Sequence, residues 1–412
     1  MFYRQTKLVI VSRFKGKKLR LRMSKQQTRI YMDYQASTPI DKRVAEVMHA
    51  CYGFAGNPHA SEHAFGWDAH AAIERATSEL ATVLNVDEDE IIYTSGATES
   101  NNQAIIGIAE NAPAARKRIL ISSIEHACVY SAARIAAKRY GCTVEILPVD
   151  VRGIVDLDYI EGVVGDDTLI ISVMAVNNEI GTIQPIEEIG RICKKVGAIF
   201  HTDATHKLGT GRFDASVADM VSLSSHKIYG PKGIGALYIS RPLQRSISPL
   251  IHGGGQQNGL RAGTLPVPLC AALARAATLM VDEESAAERL RIQSFRNQFV
   301  KEILSIDDSF FENGISGALR HPGNTNICFK GMDAQSLLTM LQPNIAASTG
   351  SACHSGTTEP SHVLRSIGRN DAEASASIRF GFGRFTNEEE IDAAVAIIAE
   401  AIERNKAVRI AS

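Results

Sequence analysis

Leu169-Ile170-Ile171-Ser172-Val173-Met174 decides the fold of this chain of 412 residues. The run has no alternation of apolar and polar faces, so a strand here must be covered on both sides, as in a mostly parallel sheet. Working outward, comparable short apolar runs recur at 91–94, 118–123, 144–149, 198–202, 219–224 and 235–240. Helical-length segments lie between them. Residues 99–110, 127–140 and 186–196 carry apolar side chains at three- and four-residue spacing. Seven strands alternating with helices predict an α/β fold, with a large doubly wound domain built on a seven-stranded, mostly parallel sheet. Ligands are then expected at the carboxyl ends of the strands.

After Gly253-Gly254-Gly255 and Gly263-Thr264-Leu265-Pro266-Val267-Pro268, a helical stretch runs to about residue 305 and bridges to a second unit. That unit reads as a strand at 326–330, a helix at 334–341, a Ser/Gly-rich loop around Cys353, a strand at 377–381 and a final helix at 388–404. The expected division is a basic extension 1–29, a large domain 38–285, and a smaller α+β domain made of 30–37 and 286–412. No internal repeat is visible.

Hydrophobic residues make up 45% of the chain and charged ones 22%, which suits a large buried core. No apolar run approaches the roughly 18 residues of a membrane span. Seven cysteines, an odd number with no Cys-x-x-Cys, fit neither a disulfide framework nor a structural zinc site, so a reducing compartment, the cytoplasm, is expected. The net charge of −1 conceals an asymmetry: residues 1–29 hold ten Lys and Arg and no acid, leaving 34 bases against 45 acids beyond them. Such a leader suggests nucleic-acid binding, organelle targeting or a start codon upstream of the true one at Met23. Its few serines and weak apolar face disfavour targeting, and a disordered extension or a misplaced start is the expectation.

Several chemistry-bearing residues fall just after strands. Thr94-Ser95-Gly96-Ala97-Thr98-Glu99-Ser100 opens a helix, where free N–H groups and the Thr98 hydroxyl suit a phosphate, although a plain capped turn has the same look. His126 follows the second strand and Asn178 the fourth. Asp203 lies just past the end of the fifth, where a carboxylate can hold a pyridine nitrogen protonated. Lys227, in Ser224-Ser225-His226-Lys227-Ile228-Tyr229-Gly230-Pro231, lies 24 residues beyond Asp203. A lone lysine is usually a solvated one, but this one follows a strand directly and enters a Gly-Pro turn near the same sheet edge. An amine able to form a Schiff base and a carboxylate able to hold a pyridinium are parts of a pyridoxal phosphate enzyme.

Cys353 adds a second nucleophile. It sits in Ser348-Thr349-Gly350-Ser351-Ala352-Cys353-His354-Ser355-Gly356, a loop composition that suits a reactive thiol and not a core cysteine. A zinc site using Cys353 and His354 lacks further ligands at usable spacing, so no metal is expected. Arg379, a charge inside an apolar strand, needs a buried partner, either a substrate carboxylate or an internal acid.

Taken in order, Asp33-Tyr34-Gln35-Ala36-Ser37-Thr38-Pro39, Thr94 to Asn101, Glu125-His126, Val176-Asn177-Asn178-Glu179-Ile180-Gly181, Asp203-Ala204-Thr205, Ser224 to Pro231, Arg261-Ala262-Gly263-Thr264-Leu265-Pro266, Gly350-Ser351-Ala352-Cys353 and Ile378-Arg379-Phe380 form a series. It resembles the motifs of the NifS/IscS-type cysteine desulfurases, class V aminotransferase-fold enzymes of pyridoxal phosphate fold type I. The resemblance covers residues 30–405 and implies a homodimer that uses pyridoxal 5'-phosphate, with no membrane and no direct nucleic-acid contact. By resemblance, Lys227 carries the cofactor, Asp203 pairs with the pyridine nitrogen, and His126 stacks on the ring and moves protons. Ala97, Thr98, Ser224 and His226 hold the phosphate, joined by Thr264 from the partner subunit. Asn178 and Arg379 bind the substrate carboxylate, and Cys353 takes the sulfur.

One position departs. Where the family usually has a glutamine bonded to the ring oxygen, this chain has His206, whose neutral imidazole can still donate that bond. The implied reaction converts L-cysteine to L-alanine, leaves a persulfide on Cys353 and passes the sulfur to an acceptor protein. Iron–sulfur assembly, tRNA thiolation and DNA phosphorothioation are all open as destinations, and nothing in the sequence resembles the C-terminal tail with which the housekeeping branch docks its scaffold. A selenocysteine lyase or an aminotransferase on the same fold is the alternative, though amino-group transfer would not need Cys353. A sulfur-relay subunit with a decayed cofactor site is the non-enzymatic one.

Overall fold

The computed structural model describes residues 13–14, 17–18, 29–350 and 360–411. The basic extension therefore lies almost wholly outside the described residues, as does Cys353. Seven strands form the principal sheet: β1 (Ile91–Thr94), β2 (Arg118–Ser122), β3 (Thr143–Leu147), β4 (Thr168–Ser172), β5 (Ile199–Asp203), β6 (Met220–Ser224) and β7 (Gly235–Ile239). They lie in the order β1-β7-β6-β5-β4-β2-β3. Only β7 runs antiparallel to its neighbours, so the predicted seven-stranded, mostly parallel sheet is present.

Every residue of β4, the stretch that fixed the reading, is buried. The reason is visible in β2, whose Ile119 and Ile121 join a core on one face of the sheet while Leu120 joins a core on the other. The first of these faces packs against α3 (Ala97–Glu110) and α4 (Ala127–Tyr140). The other packs against α2 (Ala64–Leu84), α6 (Ile186–Val196) and α7 (Val267–Thr278), with α1 (Lys42–Cys51) beside α7. The short α5 (Leu157–Val163) packs on α6.

A second core gathers Ile30 and Met32 with Phe299, Phe310, Phe329, Phe380, Phe382 and the apolar face of the last helix. Its sheet is β8 (Phe311–Glu312), β9 (Asn324–Cys328) and β10 (Ser377–Gly381), all antiparallel. Its helices are α8 (Ser285–Leu304), α9 (Ala334–Leu341) and α12 (Glu388–Ala411), whereas α10 (His362–Ser366) and α11 (Asp371–Ser375) pack with Ile124, Met174 and Ile180.

Two of the differences from the sequence reading have a visible cause. The stretch expected as one helix to about 305 is two, α7 and α8, because Asp282 turns the chain and accepts the Ser285 N–H at 3.0 Å. β9 begins two residues earlier than expected, since Asn324, Thr325 and Asn326 are buried polar residues whose side chains pair within the core. Periodicity is blind to such a strand.

Candidate active site

A cavity of about 430 Å³ opens over the carboxyl ends of the central strands. Ala97, Thr98, His126, Asn178, Asp203, His206, Ser224, His226, Lys227 and Arg379 all line it. Thr264 is exposed and is not among the lining residues, and Cys353 lies outside the described residues. Ten of the twelve candidates thus converge on one space of the size that holds a cofactor and a small substrate.

Lys227 sits in a tight turn, Ser225–Lys227, that follows β6. The turn is clipped by an N-terminal segment: Thr38 N–H donates to His226 O at 2.8 Å, and Thr38 Oγ1 accepts the Tyr229 N–H at 2.7 Å. Lys227 Nζ donates to the carbonyls of Gln35 and Ala36 at 2.7 and 2.9 Å. Gly230 permits the turn, because a Cβ there would come within 2.0 Å of Ser225 Oγ. Gln35, Ala36 and Thr38 were not singled out as site residues from sequence. Their partners lie some 190 residues away, so only the fold reveals the contact.

Asp203 is the last residue of β5 and is buried. Its Oδ2 accepts Asn101 Nδ2 at 2.7 Å, and its Oδ1 accepts both the Thr205 N–H at 3.0 Å and the Thr205 hydroxyl. All these donors are neutral. Among the described residues no cation pairs with Asp203, which leaves a buried carboxylate facing the cavity with its charge uncompensated by protein. A protonated pyridine nitrogen is the kind of group that completes such a site.

Gly96, with φ 146°, turns the chain from β1 into α3 and presents the first-turn N–H groups of that helix beside Ala97 and Thr98. Ser224, His226 and Lys232 line the same region. Glu99, which also lines it, is paired with Arg261 at 2.9 Å. The donor set suits a phosphate. Burial first, then the charges of Lys227 and Lys232, push His226 down to about 4, so it is neutral.

His206 is buried, and its ring meets that of His321 edge-on at 6.3 Å. Burial chiefly, and then the positive charges of Lys227 and Arg379 with the neighbouring imidazoles, hold it well below the ordinary histidine value. A neutral ring can donate from one nitrogen, as the glutamine it replaces would.

Arg379, 2% exposed, has an internal partner after all: Nη2 donates to Asp33 Oδ1 at 2.9 Å, and Nη1 donates to the Asn178 carbonyl at 3.2 Å. Its Nε is buried with no hydrogen-bond partner among the described residues. The two asparagines after β4 divide their work. Asn177 is structural, its Oδ1 accepting the N–H groups of Glu179 and Ile180, whereas Asn178 lines the cavity.

Both described edges of the Cys353 segment meet at one carboxylate. Ser361 Oγ donates to Glu179 Oε2 at 2.6 Å, and a Cβ on Gly350 would come within 2.0 Å of the same oxygen. His362 Nε2 lies 3.0 Å from the carbonyl of Glu125, next to His126.

The family model for aminotransferase class-V matches residues 30–394. The mitochondrial cysteine desulfurase of Saccharomyces cerevisiae is 46% identical over 376 residues, 90% of this chain and 75% of that protein. Cysteine desulfurase IscS of Rickettsia bellii is 44% identical over 378 residues, 91% of each chain. A solved NifS-like protein superposes with a TM-score of 0.84 at 34% identity, over 91% of this chain and 100% of that one. A match of this extent, over a sheet and cavity of this design, makes the chain a member of the aminotransferase class-V family.

Proposed function

We propose that the protein is a pyridoxal-phosphate-dependent cysteine desulfurase that moves sulfur from L-cysteine to Cys353 as a persulfide. The observation that carries this reading is the cavity in which Lys227, the unpaired carboxylate of Asp203 and the open end of α3 face one another. Its relatives' activity, at 44 to 46% identity, points the same way.

Pyridoxal phosphate bound here would supply an electron sink for the charge that develops at the substrate α-carbon. Lys227 would attach it covalently, Asp203 would face its pyridine nitrogen, and Ala97, Thr98, Ser224 and His226 would hold its phosphate, with Thr264 contributed across a homodimer. His206 would donate to the ring oxygen. Arg379 and Asn178 would orient the substrate carboxylate, and His126 would carry a proton. The Cys353 thiolate attacks the substrate sulfur, the Cβ–S bond breaks, and its electron pair stays with the three-carbon product, which is protonated and leaves as alanine.

A second copy of the chain is supported by an apolar surface between α1 and α2, where Tyr52, Phe65 and Trp67 are 64, 66 and 59% exposed. The division into a large unit at 38–285 and a smaller one of 30–37 with 286–412 belongs to this proposal and is supported by the separate cores. No helix among the described residues is long and apolar enough to cross a membrane, and the six described cysteines are free, which supports a reducing, cytoplasmic setting. The acceptor protein is the step that follows, whether for iron–sulfur assembly or for thiolation of a nucleic acid.

Cys353→Ala is expected to keep the absorbance of bound cofactor and to lose sulfide release from L-cysteine, whereas Lys227→Ala loses the covalent attachment. Undiminished turnover in Cys353→Ala would sink the persulfide reading.

A further inference from the structure

Among the cavity-lining side chains with no part in that reading are Asn101 and Cys128. Cys128 is the second residue of α4, whose N-cap is His126. Its Sγ lies 3.0 Å from His126 Nδ1, and its backbone N–H donates to the same ring nitrogen at 3.2 Å. Asn101, fully buried on α3, donates through Nδ2 to Cys128 Sγ at 3.2 Å and to Asp203 Oδ2 at 2.7 Å. One chain of hydrogen bonds therefore runs from His126 through Cys128 and Asn101 to Asp203.

The polarity of the chain is set by groups that have no choice. A carboxylate only accepts, so Asn101 must turn its amide nitrogen toward Asp203; its Oδ1 then faces away, buried and without a partner. That same nitrogen donates to the sulfur, and the Thr98 hydroxyl bonds the sulfur as well, so the Cys128 S–H, at 3.0 Å from Nδ1, is assigned as the donor to the ring. A backbone N–H only donates, so His126 Nδ1 is an acceptor already, and the neutral ring carries its proton on Nε2. The thiol must stay protonated for this to hold. Burial and then the negative charge of Asp203 push it up to about 12, so it does.

We infer that Cys128 is a positioning residue: its S–H, oriented by Asn101, joins its backbone N–H in locking His126 with Nδ1 turned into the helix start and Nε2–H as the nitrogen that exchanges protons. The inference rests on the reading of His126 as the proton carrier and extends it to the residue that sets which ring nitrogen does the work. It also couples that ring to the carboxylate assigned to the pyridine nitrogen, through two side chains on α3 and α4.

The test is 15N solid-state NMR of histidine-labelled full-length protein as purified with its cofactor, the His126 signals being identified by their loss in His126→Asn. The expected wild-type result is an unprotonated, hydrogen-bonded Nδ1 and a protonated Nε2. In Cys128→Ala the Nδ1 resonance moves toward the position of a weakly bonded nitrogen, and Cys128→Ser, whose hydroxyl can accept from Asn101 and donate to the ring, restores it. In turnover, kcat falls roughly tenfold in Cys128→Ala, about the worth of one hydrogen bond, with KM within about twofold, and recovers in Cys128→Ser. A protonated Nδ1 in the wild type overturns the inference whether or not either variant folds. So does an Nδ1 signal that stays in place in Cys128→Ala. Because the tautomer is read on the ring itself, its failure is distinct from a failure to release sulfide.

Discussion

His206 is the residue at which the resemblance leads one to expect glutamine, and its burial has a consequence for stability. The folded state keeps the ring neutral well below pH 6.5, while the unfolded chain protonates it near that value. Between those two points the unfolded state binds the extra proton, so stability is fully present above about pH 6.5 and declines as pH falls. His206→Gln removes the titration. The melting temperature of the variant should depend less steeply on pH between about 6.5 and 5, by up to about 1.4 kcal/mol per pH unit in stability. An unchanged slope would show that the imidazole is protonated in the folded protein. At this same scale the sequence reading reached the residues that chemistry names directly, such as Lys227, Asp203 and His126. It passed over Thr38, Asn101 and Cys128. Thr38 and Asn101 matter only through contacts with residues far along the chain, and Cys128 falls in no motif that the sequence offers.

At the level of elements, the strands were legible because a strand covered on both faces has to be apolar along its length, and β4, β6 and β7 are buried throughout. The misread pieces are those in which polar side chains satisfy one another inside the protein, as in β9, or in which an acid bonds the first residue of the next helix, as Asp282 does ahead of α8. The junction of β1 with α3 is the element on which the phosphate reading depends. Gly96 adopts φ 146°, open to glycine and costly to any residue with a Cβ. Gly96→Ala should cost about 1–3 kcal/mol in strain. If the chain relieves that strain by turning the first N–H groups of α3 away, retention of pyridoxal phosphate on dialysis should fall as well. A variant that holds the cofactor as tightly as the wild type would place the phosphate elsewhere.

Over the whole molecule, the two cores are fastened by Arg384, which follows β10 and reaches into the larger unit. Its guanidinium bonds Asp41 at 2.6 Å and Glu288 at 2.8 Å, and stacks on Tyr229 at 4.4 Å. Burial alone would raise the Asp41 carboxyl, but hydrogen bonds from Arg43 and Arg384 outweigh it and hold the group well below the carboxylate range. That contribution is present above the unfolded value near pH 4 and is lost as pH falls through the folded one. Arg384→Ala leaves two carboxylates without their shared cation and should cost about 3–5 kcal/mol in denaturant unfolding. The loss should shrink as pH falls below about 4, where the unfolded chain protonates Asp41 while the folded wild type holds it ionised. A loss that does not change with pH would assign the effect to packing on Tyr229.

The meeting of Gly350 and Ser361 at Glu179 bears on how this molecule can vary. Because the chain at Gly350 and at Ser361 comes to one carboxylate, the entropy of joining those two points grows only with the logarithm of the number of residues between them. Doubling that number would cost about 0.6 kcal/mol. The reach of the segment that bears Cys353 is therefore almost decoupled from the stability of everything that holds the cofactor site. Under the proposed function, the number of residues there can be set by the distance to a sulfur acceptor, with the rest of the protein left as it is.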